Sequence, residues 1–200
     1  NGMDALTQLL ESYVSIRANP LSDALALSGL EAVRDGLIDW YEATDRAVSG
    51  RSGMAYAALV SGITLAQVGL GSVHGLASPL GAFFSIPHGV VCGTLVAAAT
   101  EVNIHALRAR APDNEALDKY AQAGRLLSVK PQLSREEAWE QLVRTLSDWT
   151  QRMQLPRLQA YGLQQADLPT VVTNCRGSSM QTNPVELTDA EIRQVLEARL

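Results

Sequence analysis

The stretch that decides the fold is residues 52–100, SGMAYAALVSGITLAQVGLGSVHGLASPLGAFFSIPHGVVCGTLVAAAT, which contains no Asp, Glu, Lys or Arg. Its first part, Met54 to Leu70, is small and apolar nearly all round, which is typical of a central helix covered on every side. A membrane span of about 20 apolar residues is the competing interpretation. Polar residues and glycines interrupt the run, however, and no aromatic belt or pair of basic flanks accompanies it. We therefore expect a buried core and no membrane partner.

Outside this stretch the apolar residues recur at helical spacing. A first helix is predicted from Asp4 to Ile16, and Asn19-Pro20 separates it from a second that runs to Tyr41. Further helices are predicted over Glu115 to Leu127, from Ser134 to Pro156, briefly over Gln164 to Leu168, and from Thr188 onward, with a polar loop over Arg176 to Pro184. Ser134-x-x-Glu137 and Thr188-x-x-Glu191 have capping-box spacing. No segment favours a strand, so the sequence predicts an all-α domain.

Length and charge limit the possible functions. The chain has 200 residues, enough for a sizeable core, and 16 Lys+Arg against 21 Asp+Glu give a net charge of −5. This acidic balance argues against a nucleic-acid partner, because such modules carry a basic face. Two cysteines make no disulfide framework and no signal peptide is visible, so we expect a cytoplasmic protein. The abrupt start at Asn1, which runs at once into a helical pattern, predicts a piece of a longer chain.

Two of the three histidines, His74 and His88, lie inside the charge-free stretch. Pro79, Gly81 and Pro87 lie between them, which predicts a tight irregular connection that folds both imidazoles toward one point. Neutral imidazole is the commonest metal ligand. Two separately satisfied core histidines explain the spacing equally well.

Asp4, near the start of the first helix, is a further candidate ligand, and Gln8 lies one turn later on the same face. One carboxylate and two imidazoles with an open position suit a catalytic divalent iron or zinc ion. Gln8 offers only a neutral amide oxygen, which is a weak ligand for these metals. The alternative role for Asp4 is a favourable interaction with the helix dipole.

The remaining reactive side chains give weaker signals. His105 lies in a more polar helix and is expected to be solvated or to cap the helix. Cys92 is expected to pack as a small hydrophobic residue. Arg176 beside Cys175 is expected to lower the pKa of that thiol, although nothing else marks it as reactive.

Several blocks of the sequence match a known family in order and spacing. They are GMDALT at 2–7, GSVHGLA at 71–77, PLGA at 79–82, IPHG at 86–89, and NP followed by LTDAEI at 183–192. With these blocks the chain resembles the iron-containing (group III) alcohol dehydrogenases. The resemblance implies that residues 1–200 form the single all-α, bundle-like metal and substrate domain of a two-domain enzyme of the dehydroquinate synthase/iron-alcohol-dehydrogenase type. The N-terminal nucleotide-binding domain is then absent from this chain.

The resemblance also implies a chemistry. Such enzymes interconvert an alcohol and an aldehyde or ketone with NAD(P), and an Asp and three His hold Fe²⁺ or Zn²⁺, which polarises the substrate oxygen. Carried over to this chain, the ligands are Asp4, His74 and His88, with Gln8 at the position of the remaining His. The family often has another His near the substrate four residues after the one matching His74. Ser78 stands there and is the candidate proton carrier.

Two functions remain open, and the metal content of the protein separates them. The first is a metal-dependent dehydrogenase, in which Gln8 is either a tolerated fourth ligand or a neighbour of a three-ligand site. Without its nucleotide-binding half, the isolated domain is expected neither to bind NAD(H) tightly nor to turn over. The second is a metal-free member of the fold, either a maleylacetate-reductase-like reductase or a non-catalytic binding and assembly domain. In both cases the resemblance and the apolar composition favour a homodimer.

Overall fold

The computed structural model describes all residues 1–200 and contains helices and no strand, which confirms the predicted all-α fold. The nine α-helices are α1 Gly2–Val14, α2 Pro20–Tyr41, α3 Ala47–Val68, α4 Ser72–Phe84, α5 His88–Arg110, α6 Ala116–Ser128, α7 Arg135–Arg152, α8 Leu168–Asn174 and α9 Asp189–Glu197. Short 3-10 turns lie at Leu158–Tyr161, Gln165–Asp167 and Met180–Thr182.

Side-chain caps start three of these helices. Both predicted capping boxes are confirmed, at Ser134 before α7 and at Thr188 before α9. The Asn19 side chain accepts hydrogen bonds from two backbone N–H groups at the start of α2, and Pro20 occupies the first helical position, where its missing N–H costs nothing. Asn19-Pro20 therefore begins a helix as well as separating two.

The core consists of two apolar clusters that share α5. Val96 and Leu107 of α5 face the first cluster, with α1, α2, α3, α6 and α7, while Leu95 and Val102 face the second, with α4, α8 and α9. By length and composition α5 is the one helix that could cross a membrane, and 72% of its apolar window is buried by its neighbours. Helices α3 and α4 are long and apolar enough to cross a membrane only when taken together, and the chain bends by 99° between them.

The prediction that Met54 to Leu70 is covered on every side is wrong. Met54, Ala57 and Val60 of α3 are buried, but the opposite face exposes Tyr56, Leu59 and Ile63. The helix packs against α1 and α2 on one side only, and an absence of charge cannot distinguish a helix covered all round from one at the edge of a bundle. The central helix is α5.

The prediction of an irregular connection between His74 and His88 is also wrong. Most of it is α4, with Pro79 inside the helix, and the chain turns only at Ser85, which has a left-handed φ of 52°, and the two residues that follow. Two smaller differences concern later segments. Helix α7 ends at Arg152, before Pro156, and the polar loop over 176–184 contains a 3-10 turn.

Two glycines set the crossing of α2 and α3. A Cβ on Gly36 would lie 2.7 Å from the carbonyl oxygen of Gly50, and a Cβ on Gly50 would lie 2.8 Å from that of Gly36. Both obstacles are backbone atoms, which cannot rotate away as a side chain can. The contact therefore holds α3 against α2 at a distance that no larger residue permits.

We predict that Gly36→Ala lowers the free energy of unfolding by about 1–3 kcal/mol, because the added methyl forces the helices apart. Gly62→Ala on α3 is the matched control, since a Cβ there meets nothing within 4 Å. That change should stabilise the protein by roughly 0.5–1 kcal/mol through helix propensity alone. Denaturant unfolding measures both, and equal effects would contradict this account of the crossing.

Candidate metal centre

The candidate ligands lie on three helices, and each helix carries a pair of residues four positions apart. Helix α1 carries Asp4 and Gln8, α4 carries His74 and Ser78, and α5 carries His88 and Cys92. Residues four apart share one face of a helix. Helix packing therefore brings the three faces together at one place.

Four side chains meet there. The Oδ1 atom of Asp4 lies 3.3 Å from Nε2 of His74 and 3.4 Å from Nε2 of His88. The Sγ atom of Cys92 lies 3.6 Å from Nε2 of each histidine. All four donor atoms lie within 4.8 Å of one another. The structure thus brings together Asp4, His74 and His88, as predicted, and adds Cys92.

These separations fit one small cation. Zinc bonds of about 2.0–2.1 Å to nitrogen or oxygen and about 2.3 Å to sulfur, at tetrahedral angles, would place N and O ligands about 3.3 Å apart and N and S ligands about 3.6 Å apart. The two N···O distances, 3.3 and 3.4 Å, and the two N···S distances, both 3.6 Å, match these edges. Four of the six donor–donor separations therefore match one divalent metal, and all six lie within 4.8 Å.

Gln8 contacts this cluster differently. Its Nε2 donates to Oδ1 of Asp4 at 3.3 Å, and its Oε1 accepts a hydrogen bond from Oγ of Ser61 at 2.8 Å. The amide thus supports the Asp4 carboxylate, and its oxygen is directed toward α3.

Glu11 orients His74, and the sequence analysis missed it. This carboxylate is buried, with one oxygen 2.6 Å from Nδ1 of His74 and the other accepting the backbone N–H of Val73 at 2.7 Å. A partner on Nδ1 fixes the ring so that Nε2 faces the cluster. The available signal was the spacing of Asp4, Gln8 and Glu11, a polar stripe on a helix that is otherwise apolar on that side.

Asn183 holds the same end of α4. Its Oδ1 accepts the backbone N–H of Ser72 at 3.0 Å, and its Nδ2 donates to Oδ1 of Asn103 and to the carbonyl of Val185, both at 2.8 Å. The first N–H groups of a helix have no partner within the helix. Asn183 and Glu11, both far from α4 in sequence, supply those partners and fix the position of His74.

The charges of the cluster are strongly coupled. Burial lowers the pKa of His74, but hydrogen bonds with Asp4, Cys92 and Glu11 outweigh it and raise that pKa to about 12. Burial raises the pKa of Asp4, yet the hydrogen bond to His74 and the nearby His88 bring it below its usual value. Burial raises the pKa of the Cys92 thiol to about 11, against the opposing effect of His74. The His74 ring is therefore the group through which Asp4, Cys92 and Glu11 are electrostatically coupled.

One side of the cluster is open to solvent. The His74 side chain is 5% exposed and that of Asp4 is 22% exposed, whereas that of His88 is 54% exposed. Ser78 is also exposed and makes no side-chain hydrogen bond. A small molecule can therefore approach the donor atoms from the side of His88.

The other reactive residues lie elsewhere. His105 is exposed, as predicted, and lies 17 residues beyond His88 on α5, about 26 Å along the helix axis. Cys175 is buried and its Sγ donates to the carbonyl of Val172. The prediction of a lowered pKa for Cys175 is wrong, because burial raises it by more than Arg176 lowers it.

The comparisons with known proteins agree with this architecture. The family model described as "Fe-containing alcohol dehydrogenase family, C-terminal" matches residues 1–200, so the chain belongs to the Fe-containing alcohol dehydrogenase family. The chain is 33% identical over 172 residues to lactaldehyde reductase of Escherichia coli, a match that covers 85% of this chain and 42% of the relative. It is 31% identical over 204 residues to alcohol dehydrogenase 4 of Schizosaccharomyces pombe, covering 100% of this chain and 44% of the relative.

A solved structure of a 1,3-propanediol oxidoreductase superposes with a TM-score of 0.88 at 27% identity, covering 100% of this chain and 50% of that one. An alcohol dehydrogenase from Oenococcus oeni superposes with a TM-score of 0.84 at 25% identity and the same coverage. The chain thus spans about half the length of the relatives it matches. The predicted family and the predicted C-terminal helical fold are both confirmed.

We predict that Asn183→Ala destabilises the protein by about 1–3 kcal/mol, because it leaves the buried N–H of Ser72 and the Asn103 amide without their partner. Asn174→Ala, at an exposed position whose side chain bonds only to its own helix, should change stability by no more than about 0.5 kcal/mol. Thermal or denaturant unfolding compares the two. A neutral Asn183→Ala would show that α4 is held in some other way.

Proposed function

We propose that residues 1–200 are the metal-binding domain of an enzyme that interconverts a small alcohol and an aldehyde or ketone with NAD(P). The observation that carries the proposal is the cluster of Asp4, His74 and His88 donor atoms at metal-ligand spacing. Relatives named lactaldehyde reductase, 1,3-propanediol dehydrogenase and NADPH-dependent butanol dehydrogenase support a small substrate of this class.

Each residue of the cluster has a defined task in this proposal. Asp4, His74 and His88 hold a divalent cation, Fe²⁺ or Zn²⁺, and Glu11 keeps Nε2 of His74 directed at it. When bound, the metal supplies Lewis-acid polarisation of the substrate oxygen, which favours hydride transfer between substrate and nicotinamide. Gln8 supports the Asp4 carboxylate through the hydrogen bond of its Nε2.

The surroundings of the cluster serve the same chemistry. Residues 52–100 contribute no Asp, Glu, Lys or Arg to it, so the carboxylates that contact His74 both come from α1, Asp4 and Glu11. The exposed side at His88 admits the substrate. Ser78, one helical turn after His74 and exposed, is the candidate to pass a proton between substrate and solvent.

The rest of the active enzyme lies outside this chain in the proposal. The nicotinamide cofactor is bound mainly by the nucleotide-binding domain, as in a protein about twice this length. We further propose a cytoplasmic homodimer.

A metal-free function is the second candidate, and one observation favours it. His74 lies between Asp4 and Glu11, with Nε2 3.3 Å from Oδ1 of Asp4 and Nδ1 2.6 Å from Oε2 of Glu11, so its ring pairs with both carboxylates without a cation. A domain that has lost the metal keeps this ion-pair network and the fold, and acts as a maleylacetate-reductase-like reductase or in binding and assembly.

Metal content decides between the two functions. After anaerobic reconstitution with Fe²⁺ or Zn²⁺ and removal of unbound metal, elemental analysis should find about one metal ion per chain. His74→Ala should retain little, because it removes a ligand. His105→Ala is the control, since His105 lies far along α5 and should leave the metal content unchanged. Absence of metal from the unaltered protein would support the metal-free function.

A further inference from the structure

The buried Cys92 side chain contacts two imidazoles as well as packing in the core. It is fully buried, yet its Sγ contacts Nε2 of both His74 and His88 at 3.6 Å. The other cysteine shows the contrast, since the Cys175 thiol, just after α8, is buried and donates to the backbone carbonyl of Val172 in that helix. The Cys92 sulfur is thus directed at the same point as the metal ligands.

Without Cys92 the cluster has only three strong metal ligands. Asp4, His74 and His88 provide three donor atoms, and Gln8 offers a neutral amide whose oxygen is engaged with Ser61. With Cys92 the set has four protein donors, and the substrate oxygen then binds as a fifth ligand, a coordination number that catalytic zinc reaches. Cys92 lies one turn beyond His88 on the same helix face, so both side chains can bind one metal ion without movement of the backbone.

We propose that the Cys92 thiolate is the fourth protein ligand and that it makes the centre prefer Zn²⁺ to Fe²⁺. Cys92 comes from α5, whereas Gln8, at the position of the missing histidine, lies on α1. Thiolate is a soft ligand that favours zinc, whereas carboxylate and imidazole also suit iron. On metal binding the thiol loses its proton to solvent and a metal–sulfur bond forms. Asp4 and Cys92 then supply two negative charges to balance the divalent ion. This inference rests on the proposed metal-binding function.

Cobalt(II) titration tests the inference, because a thiolate ligand produces an intense sulfur-to-cobalt charge-transfer band in the near ultraviolet. The purified protein, titrated anaerobically with Co²⁺, should show this band at one ion per chain. Cys175→Ser should keep it. Cys92→Ser and Cys92→Ala should lose it, bind Co²⁺ at least about 100-fold more weakly, and show a smaller preference for Zn²⁺ over Fe²⁺ in competition. Circular dichroism checks that both variants remain folded.

The outcomes separate this inference from the proposed function. Stoichiometric Co²⁺ binding without the band, and with unchanged affinity in Cys92→Ala, would overturn the role of Cys92 while leaving the metal centre intact. A loss of affinity in Gln8→Ala under those conditions would assign the fourth position to Gln8. Failure of the unaltered protein to bind Co²⁺ or Zn²⁺ would overturn the metal-binding function itself. Because the band is read on the unaltered protein, misfolding of a variant cannot account for its absence.

Discussion

The carboxylate of Glu11 connects the fold to the chemistry of the site. One of its oxygens accepts a backbone N–H at the start of α4, and the other bonds to Nδ1 of His74. A buried carboxylate is costly unless it is paired and hydrogen-bonded, and α4 and His74 supply the bonds that Glu11 needs. The reverse also holds, since the orientation of His74 and the anchoring of α4 both depend on Glu11. Removing either partner leaves a buried polar group without its bond.

The candidate metal ligands around this contact come from three helices. Asp4 comes from α1, His74 from α4, and His88 with Cys92 from α5, so no local segment contains the site. The rigidity of each helix fixes its own pair of side chains, and the packing of the helices fixes the distances between pairs. Close contacts such as Gly36 with Gly50 hold the bundle together at some distance from the donors.

Much of the fold could be predicted from sequence because its signals are local. The capping boxes at Ser134 and Thr188 and the apolar stripe of α1 depend on neighbours within a few residues, and all three were identified correctly. The burial of α3 was not predicted correctly, because an uncharged, apolar helix looks the same whether one face or every face is covered. The connection before His88 was predicted wrongly because α4 accommodates Pro79 and two glycines, Gly75 and Gly81.

The site also combines residues that the sequence identifies with residues whose role depends on helix packing. Asp4, His74 and His88 could be named from the family resemblance, and their meeting point could not be derived from spacing alone. Glu11 and Cys92 were missed although each lies one helical turn from a named residue, because a carboxylate on a helix or a small thiol in an apolar run has a commoner explanation. Their contribution depends on contacts between helices, which patterns in a single sequence do not reveal.

X-ray absorption at the zinc edge of the Zn²⁺-loaded protein tests this account most directly, because it counts ligand types around the metal without any mutation. We expect a first shell with one sulfur at about 2.3 Å and two imidazole nitrogens among the ligands at about 2.0–2.1 Å. A first shell of nitrogen and oxygen alone, or the spectrum of hydrated zinc, would contradict it.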